Sequence, residues 1–399
     1  MSFDADVVVI GAGPAGLSAA KALSDSSLDF LVLCREKNPC EMKPCGGFIP
    51  ARAIDEFDLG QMSGAYPIRS VRMKFPNTDV KAVHFEKDMG INISRGDLAR
   101  AQLKQIGLKL DSIRTGTEVN KIKITQEVAE LEVTIEGRRH SLSCQSVIDC
   151  SGVNPVSLRS KGLRERIPNT QMGYAVQYQM TVQPENRSFL ESNDFFYGSD
   201  FSPRGYAWVF PRESEVAVGT GGIVERVRNS AKRVQEYLDN LIQNIEPART
   251  ALKNSEIIRK EAALMPLAGI VKPSFSDRIL LAGDAAGHCS PITGEGIHYA
   301  MQAGRSAAET LTDAIEKGDL SRKFLSRYEK RWIGIMGSDL KWGFWLQKRF
   351  LESGSRSIGS KFLNSEKSAR IIAEMLLGGR SVRSAILKAA PGYIRSKIS

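Results

Sequence analysis

The sequence is informative first through what it lacks. None of its six cysteines forms a C-x-x-C pair, the spacing typical of zinc ligands, so we expect no metal site. No apolar run reaches the roughly 20 residues needed to cross a bilayer, and no signal peptide precedes the first apolar segment. We therefore expect a cytoplasmic protein with reduced cysteines rather than a secreted disulfide framework.

Basic residues are in excess, but they are not concentrated in one block. Lys and Arg number 55 against 45 Asp and Glu, which gives a net charge of +10. Because there is no long Lys/Arg run, we expect no nucleic-acid partner. The positive charge favours phosphates, anionic lipid headgroups or an acidic redox protein. With 42% apolar residues in 399, the chain is long enough for two or three folded domains.

A dinucleotide-binding pattern stands near the start of the chain. Residues 5–23, ADVVVIGAGPAGLSAAKAL, run from an apolar strand through glycines into a helical pattern, and DFLVL at 29–33 predicts a second strand. Gly11 permits the tight turn, Gly13 lets the backbone approach a pyrophosphate, and Gly16 lets helix and strand pack closely. The helix N-terminus faces the negative charge. This β-α-β unit predicts dinucleotide binding.

The acidic residue that usually holds the ribose hydroxyls is displaced. The second strand ends in VLCREK, with Cys34 at the expected position and Arg35 and Glu36 after it. Either Glu36 reaches back to the ribose, or other groups hold it.

A second glycine-rich turn lies late in the chain. Residues 278–311 predict a strand, a turn containing GDAAG, and a long helix. Asp284 stands where the strand meets the loop, and Gly296 and Ile297 open the helix, whose N–H groups can bind a phosphate or carbonyl oxygen. The alternative is a plain strand-turn-helix. Two nucleotide-type sites at opposite ends of one chain predict a single long cofactor, FAD.

Three segments together carry a family resemblance. They are KPCGG with its continuation FIPARAIDEFDL at 43–59, PRGYAWVFPRESEVAVG at 203–219, and GDAAGHCSPITGEGI at 283–297. The second fits the pattern P-x-x-Y-x-W-x-F-P followed by seven residues and a glycine. Over about residues 5–350 the sequence resembles the flavoprotein group of p-hydroxybenzoate hydroxylase and, within it, the geranylgeranyl reductases. The first segment is most similar to chlorophyll-type members and the third to archaeal lipid-reducing members.

The resemblance implies a set of binding residues. FAD contacts fall on Gly11, Gly13, Ala15, Gly16, Cys34, Cys45, Gly46, Arg95, Val119, Asp284, Gly296 and Ile297, and we add the adjacent Arg35, Glu36 and Gly47. Substrate contacts are predicted at Tyr206, Trp208, Phe210, Pro211 and Gly219.

The resemblance also implies a mixed α/β (α+β) fold. We predict a Rossmann-like FAD-binding domain (1–160 and 270–315), an antiparallel-sheet substrate domain (65–90 and 165–269) and a helical C-terminal region (316–399). Alternating apolar and polar residues predict strands within 68–87, 117–137 and 172–221. Helices are predicted at 94–107 with Ser94 as N-cap, at 226–245, at 331–350 and within 365–395.

The electron donor is open at this point. Hydroxylases of the group carry Asp-Gly before S-x-x-R, whereas CSGVNPVSLR here has Ser151 in place of that Asp, followed by Gly152. This departure argues against a hydroxylase. It leaves NAD(P)H and a reduced ferredoxin-like protein as candidate donors, and the second, usually acidic, suits the net charge.

Cys45 is implied to lie near the flavin ring. Saturating an isolated alkene needs a hydride and a proton, and a reduced flavin supplies the hydride, so we predict Cys45 as the catalytic acid. The alternative is an inert buried thiol. Tyr206, Trp208 and Phe210 alternate along a strand and so face one side, either as an aromatic wall for a cationic transition state or as core.

We therefore expect an FAD-dependent oxidoreductase that saturates isoprenoid C=C bonds, most simply geranylgeranyl chains of an archaeal-type glycerophospholipid. The alternatives are a chlorophyll- or bacteriochlorophyll-type reductase, a flavin monooxygenase or halogenase, and a flavin-binding module without turnover. Residues 331–350 mix aromatic and basic side chains, which suits either association with a membrane surface or a packed capping helix. They are Trp332, Lys341, Trp342, Phe344, Trp345, Lys348, Arg349 and Phe350.

Overall fold

The computed structural model describes residues 3–41, 43–76, 78–161, 163–353 and 365–398. The chain forms two compact units. The first contains Met1–Glu41, Leu98–Ile167 and Pro266–Lys341, and the second contains Met42–Asp97, Pro168–Met265 and Trp342–Ser399. Each unit draws on three separate stretches of the chain. The domain boundaries given above stay a prediction.

The strands are short, and several consist of only two or three residues. They are β1 (Ala5–Ile10), β2 (Phe30–Leu33), β3 (Phe48–Pro50), β4 (Tyr66–Ile68), β5 (Ser70–Lys74), β6 (Lys81–His84), β7 (Gly90–Asn92), β8 (Ile113–Arg114), β9 (Thr117–Ile124), β10 (Ala129–Ile135), β11 (Arg138–Asp149), β12 (Met172–Thr181), β13 (Asn193–Tyr197), β14 (Tyr206–Pro211), β15 (Glu215–Ile223), β16 (Ile257–Pro266), β17 (Phe275–Ser276) and β18 (Ile279–Leu281).

The α-helices are equally varied in length. They are α1 (Pro14–Ser24), α2 (Ala51–Glu56), α3 (Arg95–Ile106), α4 (Val156–Lys161), α5 (Val224–Arg228), α6 (Val234–Asn244), α7 (Ala248–Ala251), α8 (Ile297–Glu316), α9 (Arg322–Trp332), α10 (Ser338–Ser353), α11 (Glu366–Leu376) and α12 (Val382–Ile398). Among the described residues, no helix combines the length and the apolar character that crossing a membrane requires.

The sheet of the first unit is mostly parallel. Its order is β17-β18-β11-β1-β2-β8, and a hairpin of β9 and β10 pairs with β11. The neighbours β18, β11, β1, β2 and β8 all run parallel. Val7, Val8 and Val9 are completely buried, as expected for a strand with both faces covered. The carboxyl ends of β1, β2, β11 and β18 therefore lie along one edge, where ligands of such sheets bind.

In the first unit, helices α1 and α8 pack so closely that their backbones are in contact. A β-carbon on Gly304 of α8 would lie 2.0 Å from the carbonyl oxygen of Ala15 on α1. Ala15, Ala19 and Ala20 are buried on α1, and small side chains here allow this close approach. Residues almost 290 positions apart thus share one core.

The second unit is built on a seven-stranded sheet of order β16-β12-β15-β14-β13-β5-β6. The neighbours β12, β15, β14 and β13 are antiparallel, as predicted, but β13 and β5 run parallel. The predicted antiparallel sheet thus contains one parallel pair. The reason is that a long connection, not a hairpin, joins β5 to β13, and such a connection permits parallel pairing. A small sheet of order β3-β7-β4 completes the unit.

Two predicted helices are interrupted. The helix predicted at 226–245 is split into α5 and α6, because a new helix starts after Arg233, whose backbone N–H donates to Glu236 Oε1 at 3.2 Å. The helix predicted at 331–350 is not one continuous α-helix. Helix α9 ends at Trp332, a π-helical turn follows at Ile333–Gly337, and α10 begins at Ser338. The mixed α/β class is confirmed, and so is Ser94 as N-cap, since its Oγ accepts a hydrogen bond from Asp97 N at 3.0 Å.

Candidate functional site

The glycine-rich turn after β1 is as tight as its sequence predicts. Gly11 has φ +98°, and a β-carbon there would lie 2.6 Å from the carbonyl oxygen of Cys150. A β-carbon on Gly16 would lie 1.8 Å from Gly11 O. Gly13 is the N-cap of α1 and supplies no side-chain cap, while Pro14 follows it. The first helical N–H groups therefore point into a cradle without side chains, which suits a pyrophosphate.

Ala15 and Val119 are placed as packing residues. Ala15 is 5% exposed, and its β-carbon lies near the position that a β-carbon on Gly283 would take, 3.1 Å away. Val119 is 4% exposed, on β9 in the apolar cluster on one face of the first unit's sheet. Since both side chains are buried, these positions can contact a cofactor chiefly through the backbone.

Glu36 does reach back to the end of β2. The Cys34 thiol donates to Glu36 Oε2 at 3.5 Å, and Arg35 Nη2 donates to Glu36 Oε1 at 3.3 Å. Cys34 is 1% exposed, whereas the Arg35 side chain is 70% exposed. The structure therefore places the Glu36 carboxylate beside Cys34, the position where the signature usually has its acidic residue, and the ribose contact stays a prediction.

A buried aspartate that sequence reasoning missed organises the loop after β11. Asp149 is completely buried. Its Oδ1 accepts from Ser151 N at 3.0 Å and Ser151 Oγ at 2.5 Å, and its Oδ2 accepts from Ser157 N at 2.8 Å. Ser151 Oγ in turn accepts from Val156 N at 3.0 Å. Asp149 therefore fixes the backbone from Ser151 to Ser157, and an aspartate ending a buried strand was the available signal.

The late glycine-rich turn follows β18 at the same edge of the sheet. A short 3₁₀ turn at Gly283–Ala286 ends at Gly287, which has φ +81°. Gly296 is the N-cap of α8 without a side-chain cap, and a β-carbon there would lie 3.9 Å from Asp284 Oδ1. Ile297 is the first residue of α8. The Asp284 carboxylate is thus placed beside a second uncapped helix N-terminus.

His288, in the same turn, is a further residue that the sequence did not single out. It is completely buried, and neither ring nitrogen has a hydrogen-bond partner. Its ring centroid lies 4.6 Å from that of Trp332. Burial, with a smaller contribution from Arg164, lowers the pKa of His288 to about 3. The imidazole is therefore neutral at physiological pH.

In the second unit, the loop of residues 43–47, called the Cys45 loop, packs against β14, the strand that carries Trp208 and Phe210. A β-carbon on Gly46 would lie 2.8 Å from Phe210 Cδ2 and 3.7 Å from Trp208 Nε1. Gly47 has φ +84°, and a β-carbon there would lie 2.1 Å from Ile93 O. Side chains at 46 and 47 would lift the loop off the sheet, so the glycines bring the half-buried Cys45 close to the rings.

Arg95 begins α3 shortly after this loop. Ile93 N donates to Gly47 O at 3.0 Å, which joins the loop to the segment that enters the helix. Ser94 caps α3, and Arg95 is half-buried at its first position.

The predicted substrate residues belong to a row of aromatic rings. Tyr206, Trp208 and Phe210 follow one another on β14 with ring centroids 5.8 and 6.5 Å apart. Phe195 and Tyr197 on β13 and Phe75 after β5 extend the row: Phe75–Tyr197 is 5.2 Å, Tyr197–Tyr206 5.5 Å and Phe195–Phe210 5.2 Å. Tyr206 and Trp208 are half-buried, and Phe210 is 8% exposed. The rings form an apolar face three strands wide.

The spacing of the long aromatic motif has a structural cause. Gln177, Gly219 and Trp208 lie side by side on β12, β15 and β14. A β-carbon on Gly219 would lie 2.2 Å from Trp208 Cζ2, and Trp208 Nε1 donates to Gln177 Oε1 at 3.1 Å. The indole therefore crosses over Gly219 to reach Gln177. Pro211 O accepts from Asn92 Nδ2 at 2.7 Å, which fixes the end of β14.

Arg212, the first of the seven unspecified residues within the motif, is a buried cation that bonds the Cys45 loop. It is 6% exposed, and its Nη2 donates to the carbonyl oxygens of Cys45 at 3.2 Å and Gly46 at 3.3 Å. Burial lowers the pKa of Arg212, while negative charge on Cys45, Glu215 and Glu261 acts in the opposite direction. No sequence motif pointed to Arg212, because its partners lie more than 160 positions away.

The two units offer different sets of chemical groups. The first has a glycine cradle, two uncapped helix N-termini and carboxylates at Glu36 and Asp284, a donor and acceptor set that fits a dinucleotide cofactor. The second has a half-buried thiol beside an aromatic, apolar face.

Comparison with known proteins identifies the relationships of this chain. A family model described as lycopene cyclase protein matches residues 6–342. A digeranylgeranylglycerophospholipid reductase of Methanococcus vannielii is 30% identical over 364 residues, 86% of this chain and 87% of the relative. A protein of the same name from Methanocaldococcus jannaschii is 29% identical over 82% of each chain.

Solved structures share the whole fold. A geranylgeranyl bacteriochlorophyll reductase-like protein of Thermoplasma acidophilum superposes with a TM-score of 0.83 at 21% identity, covering 98% of this chain and 97% of the other. A flavin-dependent halogenase superposes with a TM-score of 0.69 at 17% identity, covering 99% of this chain and 77% of the other. The fold is one that flavin-dependent enzymes share. Because it is 30% identical to a digeranylgeranylglycerophospholipid reductase over 86% of its length, the chain belongs to the geranylgeranyl reductase family.

Proposed function

We propose that this protein uses FAD to saturate isolated C=C bonds in geranylgeranyl chains of an archaeal-type glycerophospholipid. The names of the sequence relatives support this substrate class. Bound FAD, once reduced, supplies a hydride to one alkene carbon. The remaining task for the chain's own residues is to hold the apolar chain, exclude water and protonate the other carbon.

The observation that carries the proposal is the contact of the Cys45 loop with the aromatic row. Gly46 lies against Phe210 and Trp208 with no room for a β-carbon, and Cys45 is half-buried beside them. An isolated alkene polarises weakly, so its saturation needs a proton donor next to the apolar chain. A thiol on an aromatic face meets that need, and the rings can stabilise positive charge that develops on the substrate.

Tyr197, in the aromatic row, is a poor alternative proton donor. Burial, and then the neighbouring Tyr206, raises the pKa of Tyr197 well above its ordinary value, which makes that hydroxyl a weaker proton donor. In the proposed step the S–H bond of Cys45 breaks, a C–H bond forms on the substrate, and solvent later returns the proton to sulfur.

FAD is proposed in the first unit because of the cradle described above. Gly11, Gly13 and Gly16 would leave space for the pyrophosphate, Glu36 would bond the adenosine ribose, and Asp284 with the α8 N-terminus would bond the second half of the cofactor. Purified protein is expected to be yellow, with FAD released on denaturation.

The test is single-turnover reoxidation. Protein reduced with dithionite is mixed with a geranylgeranyl glycerophospholipid, and flavin absorbance and product mass are followed. Wild type should add pairs of hydrogens. Cys45→Ala should keep its flavin and melting temperature but react about 10²-fold more slowly, and Cys45→Ser should fall between. Cys40→Ser, at the other half-buried cysteine, is the matched control.

Two results would overturn the proposal. Full activity of Cys45→Ala would assign the proton to water or to the aromatic strand. A product carrying added hydroxyl or halogen would move the protein to another class of flavoenzyme.

The chlorophyll-type reaction is the second candidate, and the segment KPCGGFIP favours it. Offering the lipid and geranylgeranyl diphosphate in competition decides between them, because the better substrate is consumed first.

A reduced ferredoxin-like protein is the proposed electron donor, with NADPH as the alternative. Helix α9 supports it with exposed cations at Arg322, Lys323, Arg327, Lys330 and Arg331. Flavin reduction by an acidic ferredoxin should slow as ionic strength rises, whereas faster reduction by NADPH would reverse the assignment.

Association with a membrane surface is proposed for the segment around α10. Trp345 is 49% exposed, and Lys348 Nζ lies 4.6 Å from the centre of the Phe344 ring. The side chain of Phe350 lies outside the described residues. Cosedimentation with anionic vesicles, reduced in Trp345→Ser, tests this proposal.

A further inference from the structure

Four buried polar side chains form a cluster against the backbone of the Cys45 loop. We call Gln177, Gln179, Arg212 and Glu261 the Cys45 clamp. Gln177 and Gln179 lie on β12 and are 3% and 1% exposed, Arg212 follows β14 and is 6% exposed, and the side chain of Glu261 on β16 is 5% exposed. Burying a guanidinium, a carboxylate and two amides costs free energy that an apolar filling would avoid.

The clamp acts on the two carbonyl groups that follow the thiol. Cys45 O accepts two hydrogen bonds, from Gln177 Nε2 and from Arg212 Nη2, each 3.2 Å long. Gly46 O accepts a third, from Arg212 Nη2 at 3.3 Å. With no side chain at 46 or 47, the loop cannot be fixed by packing of its own side chains. These hydrogen bonds take over that role.

The donors are themselves held in place. Gln177 Nε2 also donates to Glu261 Oε2 at 2.8 Å, and Trp208 Nε1 donates to Gln177 Oε1 at 3.1 Å, which fixes the amide orientation. Arg212 Nη1 donates to Gln179 Oε1 at 3.1 Å. The clamp therefore links the position of Cys45 to that of the substrate-facing Trp208.

Arg212 also places a buried positive charge next to the residue that carries the thiol. Its guanidinium donates to the carbonyl oxygens of Cys45 and Gly46, and a nearby cation favours the anionic form of an acid. Arg212 Nε is buried without a hydrogen-bond partner, so the guanidinium keeps donor capacity that the loop carbonyls do not use.

We propose that Arg212 and Gln177 are positioning residues that hold the Cys45 thiol for proton transfer, and that Arg212 stabilises the thiolate left behind. The step balances: the S–H bond breaks, its proton forms the new C–H bond, and the electron pair stays on sulfur beside the guanidinium until solvent reprotonates it. This inference rests on the proposed function for its catalytic meaning.

The test compares Arg212→Met and Arg212→Lys. Arg212→Met removes both charge and hydrogen bonds, and Arg212→Lys keeps the charge but loses the planar fork. The matched control is Arg72→Lys, since Arg72 is a partly buried arginine on the same sheet that bonds Asp194 at 2.7 Å through both Nε and Nη2 and does not bond the Cys45 loop. Melting temperature and flavin content are measured for every variant.

The first readout is single-turnover flavin reoxidation over a range of lipid concentrations. Arg212→Met should lower the reoxidation rate at saturating lipid about 30-fold or more. The lipid concentration that gives half of this rate should change less than about threefold, because a misplaced acid impairs the chemical step and not the binding of the lipid chain. Gln177→Met should lower the saturating rate about tenfold. Arg72→Lys should match wild type in rate even if it melts earlier.

The second readout needs no substrate. All variants carry Cys40→Ser, and carboxamidomethylation of Cys45 by iodoacetamide at constant pH is followed by mass spectrometry of its peptide. Because the thiolate is the reactive form, Arg212→Met should react about tenfold more slowly, and Arg212→Lys within about threefold of wild type. Arg72→Lys should react as wild type does.

Equal or faster alkylation of Arg212→Met than of wild type would overturn thiolate stabilisation. Equal losses of reoxidation rate in Arg212→Lys and Arg72→Lys would show that Arg212 contributes only to folding and does not position Cys45. If wild type reduces no prenyl substrate, the proposed function fails, and the alkylation series still decides whether Arg212 acts on Cys45.

Discussion

Replacing Gly219 with alanine tests whether the aromatic motif works as a packed unit. The new β-carbon would lie 2.2 Å from Trp208 Cζ2, far inside van der Waals contact distance. The indole must move, and Trp208 Nε1 then loses Gln177 Oε1. Overpacking costs about 1–3 kcal/mol, and the lost hydrogen bond about 1 kcal/mol. We expect the free energy of unfolding to fall by about 2–4 kcal/mol.

Denaturant unfolding followed by circular dichroism measures this effect. Gly334→Ala is the control, because a β-carbon there meets nothing within 4 Å, and it should change stability by less than about 1 kcal/mol. Trp208→Phe removes the clashing part of the indole, so Gly219→Ala should cost at least about 1 kcal/mol less in that background. A neutral Gly219→Ala, or strictly additive effects in the double variant, would show that the glycine does not make room for the indole.

Three further predictions concern the first unit. Asp149→Asn should lower the free energy of unfolding by about 2 kcal/mol in denaturant titrations, because an amide cannot accept all the donors around that carboxylate, whereas Ser151→Ala should cost about half as much. His288 stays neutral in the folded protein down to about pH 3 while the unfolded chain takes up its proton near pH 6.5. The contribution of neutral His288 to stability is therefore complete above pH 6.5. As the pH falls below 6.5, the free energy of unfolding should decrease by up to about 1.4 kcal/mol per pH unit. In His288→Leu the free energy of unfolding should depend less on pH over this range. Glu36→Gln should weaken FAD binding to apoprotein about tenfold in fluorescence titrations, while Lys37→Gln, at an exposed residue, should leave it unchanged.

The parts of the fold that could be predicted are those with local causes. The first β-α-β unit follows from an apolar run and three glycines, and the start of α3 follows from Ser94. The break between α5 and α6 also has a local signal, Glu236 three positions after Arg233, but the apolar period continues across it and hides the interruption. The parallel pairing of β5 with β13 has no local signal, because the two strands are about 120 residues apart.

The candidate site divides in the same way. Gly11, Gly16 and Gly219 could be singled out because a missing side chain recurs in recognisable patterns. Arg212 could not, because its significance lies in two carbonyl groups at positions 45 and 46 that only the folded chain brings near. Asp149 was not singled out either, because its hydrogen bonds to the loop donors form only in the folded chain.

The packing of α1 against α8 has a consequence for how the protein is made. Helix α1 leaves the ribosome early, but Gly304, which seats against Ala15, is synthesised almost 290 residues later. At about 5–20 residues per second, the small-residue face of α1 waits roughly 15–60 seconds for its partner. β1 likewise waits for β11, its parallel neighbour. Nascent chains that stop short of α8 should therefore be clients of holdase chaperones, and slowed translation between α1 and α8 should lower the yield of folded protein.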